Sequence, residues 1–244
     1  MARPQRFVAF SVILAAGVVG ITSGLAFGWF LLVGPPGLLS WTRTTAGALA
    51  FDLALSLAFF VQHSGMVRKS FQDRLVRLVP RHQIPVTYGI ASGLVLIAVV
   101  VFWQPTNRMI WSAGDPLRWF LWAIIVTVIA GFIWGVASLG SFDALGLNAV
   151  RARLTEEPPR GLPLTIRGPY RWVRHPLYTF ALTLFWCTPD LSADRLLFNV
   201  TWTLWVWAGT ILEERDLVAA FGEDYLRYQK QVPMLFPVPW LRAR

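Results

Sequence analysis

Residues suited to chemistry are concentrated in two short blocks near the carboxyl end of the chain. The first block has the sequence GPYRWVRHPLY over residues 168–178. Proline at the first position of a helix loses no hydrogen bond, so Pro176 is expected to open a helix whose free amides attract an anion. Arg174 and His175 stand next to that helix start. The block therefore predicts a site for a carboxylate or a phosphate group.

The second block, EERD over residues 213–216, follows an apolar segment directly, and FGEDYLRY follows at 221–228. The carboxyl end of a helix favours cations, so two adjacent carboxylates there indicate a role other than helix stabilisation. In an antiparallel hairpin, Glu213 and Glu214 would face the first block at one membrane boundary. That arrangement suits a zwitterionic nucleotide-like ligand such as S-adenosylmethionine (SAM), whose carboxylate, ribose diol and sulfonium match basic, acidic and aromatic side chains.

The same residues also allow a purely structural interpretation. Arg174 and His175 could contact lipid headgroups, while the two glutamates form ion pairs with Arg171 or Arg215. The residue types alone do not choose between the two interpretations. One cysteine and three histidines without zinc-motif spacing predict no metal site.

The elements that must position these blocks are membrane helices. The chain of 244 residues is 55% hydrophobic and only 14% charged, whereas soluble domains are about 25% charged. About 20 consecutive apolar residues span a bilayer as a helix. Apolar helical segments can be drawn at residues 7–33, 46–62, 86–103, 117–139, 177–187 and 196–212. The fifth is short and is expected to form a hairpin with the sixth across residues 188–191.

These segments predict an all-α polytopic membrane bundle of five to six transmembrane helices with a cytoplasmic C-terminal helix. A single domain over residues 1–244 is expected, with a four-helix part at 1–139 and a cofactor-binding part at 166–237. Residues 151–167 are polar and are interpreted as a linker. The sequence leaves the oligomeric state open.

The distribution of basic residues predicts the orientation. If the N-terminus is cytoplasmic, only four of the 22 Lys and Arg residues fall on the opposite face: Arg43, Arg108, Arg118 and Arg195. Because Lys and Arg concentrate in cytoplasmic loops, both termini are expected in the cytoplasm. Topology and contact with membrane lipids then explain the net charge of +9. Nucleic acid is not expected as a partner.

In the second apolar segment, one helical stripe is formed by Asp52, Ser56, Phe59 and His63, and all but Phe59 are polar. An ionisable residue inside a membrane helix is a functional candidate because its burial is costly. A single interhelical hydrogen bond is the structural alternative for Asp52. His63 is expected at the cytoplasmic boundary, where it could orient or deprotonate an acceptor.

The two blocks, extended to GPYRWVRHPLYT and EERDLVAAFGEDYLRYQKQVPMLFP, resemble the C-terminal signature of the isoprenylcysteine carboxyl methyltransferase superfamily. That superfamily includes phospholipid N-methyltransferases and NnrU-like proteins. The chain is more closely similar to bacterial methanethiol S-methyltransferases, through FWCTPD at 185–190, QHSGMVR at 62–68, FWQP at 102–105 and FDALGL at 142–147. The resemblance implies cofactor contacts from these residues: Tyr170, Arg174, His175, Pro176, Tyr178, Glu213, Glu214, Tyr225 and Tyr228.

The resemblance also implies an activity, the SAM-dependent methylation of methanethiol to dimethyl sulfide in a bacterial inner membrane, with SAM bound on the cytoplasmic side. A thiol reacts as its thiolate, and the predicted catalytic residues are His63 or Asp143 for proton removal and Arg174 for holding SAM. Two positions depart from the resemblance: Phe180 stands where the superfamily often has glycine, and Ser141 where a histidine is expected.

Other functions stay open from the sequence. A prenylcysteine carboxylate, a phospholipid amine or a longer thiol could replace the small apolar thiol as acceptor. In a different class, a non-catalytic membrane transporter or assembly protein would share the apolar helices. Acceptor and SAM-binding assays separate these alternatives.

Overall fold

The computed structural model describes residues 3–39, 41–140, 143, 145–155 and 164–237. The helices are α1 (Arg3–Leu32), α2 (Thr45–Val67), α3 (Lys69–Leu75), α4 (Ile84–Phe102), α5 (Leu117–Leu139), α6 (Asn148–Thr155), α7 (Pro176–Trp186), α8 (Ala193–Phe221) and α9 (Glu223–Gln231). Two short strands are β1 (Met109–Ser112) and β2 (Asp190–Ser192), and 3-10 turns cover Arg81–Gln83 and Gly168–Arg171. Ser141 and residues 156–163 of the expected linker lie outside the described residues.

The chain forms two compact units. The first comprises Met1–Asn107 and Asp143–Gly161, and the second comprises Arg108–Phe142 and Leu162–Arg244. Among the described residues, four helical stretches are long and apolar enough to span a membrane: Phe7–Leu32, Thr45–Val67, Arg81–Phe102 and Leu117–Leu139. The prediction of an all-α integral membrane protein is confirmed. Helix α7, with 11 residues, is too short to cross a bilayer alone, as expected.

In the first unit, α1 and α2 both pack against α4. Ala16 of α1, Val86 of α4 and Val150 of α6 form a buried apolar cluster at one end of the unit. Gly146 permits this packing, because it has a φ of 68° and a Cβ there would lie 2.3 Å from the carbonyl carbon of Pro85. Helix α6 is therefore fixed beside the start of α4.

Asp52 connects α2 to the end of α4. Its buried carboxylate accepts a hydrogen bond from the backbone N–H of Gln104 at 2.8 Å. The side chain of Gln104 accepts from the backbone N–H of Trp41 at 3.1 Å and donates to the carbonyl of Leu39 at 2.7 Å. Asp52 thus makes a structural hydrogen bond, but to a backbone amide in the chain just beyond α4 rather than to another helix.

In the second unit, α5 packs against α7 and α7 against α8. Two glycines one turn apart on α5 allow a close approach. A Cβ added at Gly131 would lie 2.7 Å from the ring of Phe180, and one added at Gly135 would lie 2.7 Å from Leu177. Small residues at this spacing are typical of tight helix contacts in membranes.

The two-stranded antiparallel sheet of β1 and β2 was not among the elements predicted from the sequence. Ser112 of β1 pairs with Asp190 of β2, and the guanidinium of Arg118 donates two hydrogen bonds, of 2.6 and 2.7 Å, to the Asp190 carboxylate. These contacts hold the turn between α7 and α8 against the start of α5.

Two boundaries need correction. The sixth apolar segment was predicted at 196–212, but α8 runs from Ala193 to Phe221, so Glu213 and Glu214 lie inside the helix. The helix continues because Leu217 and Val218 pack against the apolar face of α9. The two glutamates are therefore not at the carboxyl end of a helix, and the argument that such a position indicates a special role does not apply to them. Residues 151–155, expected in the linker, form the last part of α6.

Candidate active site

The two blocks meet in the second unit. His175, directly before the start of α7, lies between the two glutamates of α8: its Nδ1 is 3.7 Å from the Glu213 carboxylate, and its Nε2 is 2.7 Å from Glu214. Pro176 opens α7, as predicted from its position. The predicted convergence of the two blocks is confirmed.

Glu214 is the centre of a buried polar network. Arg174 donates to both of its carboxylate oxygens, at 2.9 and 2.7 Å. The Tyr225 hydroxyl donates at 2.7 Å and the Gln229 amide at 2.6 Å, and the His175 ring completes the set. The side chains of Arg174 and Glu214 are each only 10% exposed. Their paired, bidentate geometry is the strong form of such a contact.

The network determines the charge state of Glu214. Burial alone would raise the pKa of this carboxyl, but hydrogen bonds from His175, Arg174, Tyr225 and Gln229 outweigh burial and hold the pKa well below its usual range. Burial, and then the hydrogen bond to this carboxylate, raises the pKa of the Tyr225 hydroxyl. Glu214 is therefore ionised at neutral pH, and Tyr225 remains a donor.

Arg174 is also bound by the segment that follows α9. Its Nη1 donates to the carbonyls of Gln229, at 3.2 Å, and Val232, at 2.5 Å. Its backbone N–H donates to the carbonyl of Pro233 at 2.9 Å, and that of His175 donates to Met234 at 3.1 Å. Arg174 and His175, predicted to receive the carboxylate or phosphate of a ligand, instead contact the protein's own carboxylate at Glu214.

Glu213 has a different environment although it adjoins Glu214. Its side chain is 43% exposed, and the Tyr178 hydroxyl donates to it at 2.7 Å. The Tyr178 ring stacks on the His175 ring, with centroids 5.5 Å apart and planes 3° from parallel. Glu213 therefore presents a fixed carboxylate to the space in front of the network.

That space is a cavity of about 400 Å³, within the range of ligand pockets, roughly 300–1,000 Å³. Its walls are aromatic and apolar, apart from a few polar groups. They are formed by Leu139, Leu164, Thr165, Tyr170, Arg174, His175, Leu177, Tyr178, Glu213, Leu217, Phe221, Tyr225 and Tyr228. Burial, and secondarily the charge of Glu213, raises the pKa of Tyr170 to about 12, so its hydroxyl keeps its proton.

Known proteins are similar to this chain over most of its length. The methanethiol S-methyltransferase of a Pseudomonas species is 34% identical over 240 residues, which cover 93% of this chain and 86% of that protein. Methanethiol S-methyltransferase 1 of Bradyrhizobium diazoefficiens is 34% identical over 249 residues, covering 98% of this chain and 84% of that protein. The chain belongs to the methanethiol S-methyltransferase family.

Similarity extends beyond that family. Nurim of Rattus norvegicus is 29% identical over 203 residues, which cover 78% of this chain and 73% of Nurim. No family model and no solved structure matches the chain.

Two predicted catalytic residues of this family member lie in the first unit. The Nε2 atom of His63 is 2.7 Å from the Tyr88 hydroxyl. Asp143 accepts hydrogen bonds from the backbone N–H groups of Leu147, at 2.8 Å, and Asn148, at 2.7 Å, and so caps the start of α6. The roles of His63 and Asp143 in catalysis stay predictions.

Several contributors to the site are not among the residues predicted from the sequence. Gln229 and the segment 232–234 complete the binding of Glu214 and Arg174. The spacing of Tyr225, Tyr228 and Val232, three and four residues apart, does indicate a buried face of α9. No motif marks Leu139 or Thr165, which reach the cavity from elements outside the two blocks.

Proposed function

We propose that the protein is a SAM-dependent methyltransferase of the membrane, which transfers the methyl group of SAM to methanethiol and releases dimethyl sulfide. Membership of the methanethiol S-methyltransferase family supports the acceptor. The observation that carries the cofactor assignment is the Glu213 carboxylate, fixed by Tyr178 in a largely aromatic and apolar cavity. Such a cavity suits a ligand that combines a cation, an aromatic base and a diol.

The residues of the cavity divide into two groups by their contacts. Glu213, Tyr178 and Tyr170 face the space directly and can receive the ribose diol or ammonium group, the sulfonium and the adenine of SAM. Arg174 on the cavity wall is paired with Glu214 of α8, so the proposed role of this pair is to hold the start of α7 against α8 and α9. Bound SAM supplies an electrophilic methyl group.

Methyl transfer is an in-line substitution, in which the thiolate sulfur bonds to the methyl carbon as the carbon–sulfonium bond breaks. The protein contributes position and the exclusion of water. The thiol must first lose its proton. We propose His63 or Asp143 as the acceptor of that proton; the His63 ring contacts the Tyr88 hydroxyl, and both oxygens of Asp143 accept backbone N–H groups. Variants of the two residues test the choice, since only loss of the proton acceptor should shift the pH dependence of kcat.

The location of the site is also a proposal. The concentration of Lys and Arg between α2 and α4 supports a cytoplasmic position for both termini and for the SAM cavity, in a bacterial inner membrane. Labelling of single cysteines introduced at Lys69 and Arg43 tests the orientation in intact cells. The two positions flank α2 and should react on opposite faces of the membrane.

The activity is tested with the purified full chain in detergent, labelled SAM and methanethiol, with dimethyl sulfide measured by gas chromatography. Glu213→Gln removes the charge and keeps the shape, and Glu223→Gln is the matched control on the exposed face of α9. A hydrogen bond to a charged group contributes about 1.5–3 kcal/mol, so Glu213→Gln should weaken SAM binding roughly 10- to 100-fold. Glu223→Gln should leave it unchanged.

Acceptor identity needs parallel reactions with a prenylcysteine, phosphatidylethanolamine and longer thiols. Intact SAM binding without dimethyl sulfide would reject methanethiol as the acceptor. Absence of SAM binding by calorimetry would reject the cofactor, and with it the enzymatic assignment.

A further inference from the structure

The first unit has a strongly basic surface at the end where α2 stops and α4 starts. The basic surface comprises seven exposed residues: Arg68, Lys69, Arg74, Arg77, Arg81, Arg151 and Arg153. Asp73 is the only acidic residue in the sequence between positions 68 and 85, and positions 148–155 contain none. This excess of exposed positive charge requires a partner of opposite sign or continuous solvation.

The fold holds these residues together. Helix α3 is tied to the end of α2, because the Gln72 side-chain amide donates to the carbonyl of Val67 at 3.1 Å. The 3-10 turn at Arg81–Gln83 packs against α6. Gly146 and the Asp143 cap fix α6 in turn. The basic surface is therefore a built part of the first unit rather than a set of independent loops.

Its position relative to a bilayer follows from chain connectivity. Thr45–Val67 and Arg81–Phe102 are both long and apolar enough to span, and residues 68–80 join the end of one to the start of the next. A connection this short between two spans lies at a single membrane boundary. Two apolar side chains lie among the basic residues of this connection: Phe71 is 41% exposed and Leu78 is 84% exposed. Apolar side chains beside Lys and Arg are the pattern of segments that lie in the headgroup region.

We propose that the basic surface binds anionic phospholipid headgroups of the adjoining leaflet, with Phe71 and Leu78 entering the boundary between headgroups and acyl chains. This interaction is separate from methyl transfer and does not depend on the proposed enzymatic function. Each Lys or Arg near an anionic leaflet contributes about 1 kcal/mol. A factor of ten corresponds to about 1.4 kcal/mol, so loss of two such charges should weaken binding roughly 30-fold.

The test uses the full chain purified in detergent and titrated with phosphatidylglycerol or phosphatidylcholine. A lipid that binds the folded state raises the thermal unfolding midpoint, and the dependence on lipid concentration gives an apparent affinity. Wild type should prefer phosphatidylglycerol. The double variant Arg74→Gln, Arg77→Gln should lose that preference roughly 30-fold, while its affinity for phosphatidylcholine stays the same.

The matched control is Arg43→Gln, Arg108→Gln, which removes two exposed charges from the loops before α2 and after α4. It should bind phosphatidylglycerol as wild type does. An equal loss in the control, or equal affinity of wild type for both lipids, would overturn the proposal. If the double variant does not fold, the salt dependence of wild-type binding still tests the proposal. Because salt screens surface charge, the preference of wild type for phosphatidylglycerol must fall with ionic strength. A preference that does not depend on salt rejects the basic surface as its source.

Discussion

Glu213 and Glu214 are neighbours, but we expect substitution of Glu213 by glutamine to weaken SAM binding and substitution of Glu214 to lower stability. Glu214→Gln removes the charge from a carboxylate that Arg174, His175, Tyr225 and Gln229 all contact. The glutamine keeps one acceptor oxygen but points an NH₂ group at donors. Arg174 is then left in a site where it is only 10% exposed and without a full counter-charge.

The magnitude follows from that burial. Removing one partner of a buried ion pair costs about 3–5 kcal/mol, a large part of the roughly 5–15 kcal/mol that stabilises a folded protein. For a chain of this length each kcal/mol lowers the unfolding midpoint by about 2–4 °C, so Glu214→Gln should lose on the order of 6–20 °C. Glu213 is 43% exposed, and exposed charges contribute about 0–1 kcal/mol. Its substitution should therefore move the midpoint by no more than about 4 °C.

The assay is thermal unfolding in detergent, followed by circular dichroism and paired with SAM-binding calorimetry on the same samples. Glu213→Gln should keep its fold and lose SAM affinity, whereas Glu214→Gln should lose stability first. If both variants unfold at the same temperature, the division of roles between the two glutamates is wrong. A fully stable Glu214→Gln would show that the buried network does not hold the unit together.

Three further predictions concern stability, each measured as the thermal unfolding midpoint in detergent. Because hydrogen bonds depress the pKa of Glu214, its contribution is complete above the ordinary carboxyl pKa of about 4.3 and should decline only as the pH falls below that value; a loss beginning near pH 6 would contradict this assignment. Gly146→Ala should destabilise the first unit by more than about 1 kcal/mol, since the φ of 68° disfavours a side chain and a Cβ meets Pro85; a neutral effect would mean that the turn can move. Asp52→Ala should cost about 1–3 kcal/mol by leaving the buried Gln104 amide without its acceptor, and Asp52→Asn, which keeps an acceptor oxygen, should cost less; equal losses would argue against that hydrogen bond.

The membrane helices could be predicted from sequence because their signal is local. Helix α5 covers residues 117–139 as predicted, since Pro116 precedes it and Gly140, with a φ of 70°, follows it. The end of α8 could not be predicted from hydropathy. After Leu212 the residues become polar, but they remain good helix formers, and the helix ends only at Gly222, where φ is 55°. A hydropathy boundary marks where the apolar environment ends, which is a different property from where the helix ends.

The candidate site was only partly accessible to sequence reasoning. The order of the two blocks around a hairpin was enough to predict that His175 would meet the glutamates. The roles of Glu213 and Glu214 were not predictable, because neighbouring residues on a helix point about 100° apart. Only one of them can face Tyr225 while the other faces the cavity, and the rotation of α8 about its axis decides which. That rotation is set by packing against α7 and α9, which no local pattern encodes.

The pairing within the site also changes the ligand charge that the cavity favours. From sequence, Arg174 beside a helix start indicates a positive site for an anion. In the folded protein Glu214 neutralises Arg174 through two hydrogen bonds, and Glu213 remains as a carboxylate facing the cavity. These three side chains together leave one negative charge, on the partly exposed carboxylate of Glu213. A cation gains most from such a place, and a sulfonium is a cation that aromatic faces also attract. The same residues that suggest an anion site in the sequence thus favour, once paired, the positively charged end of a methyl donor.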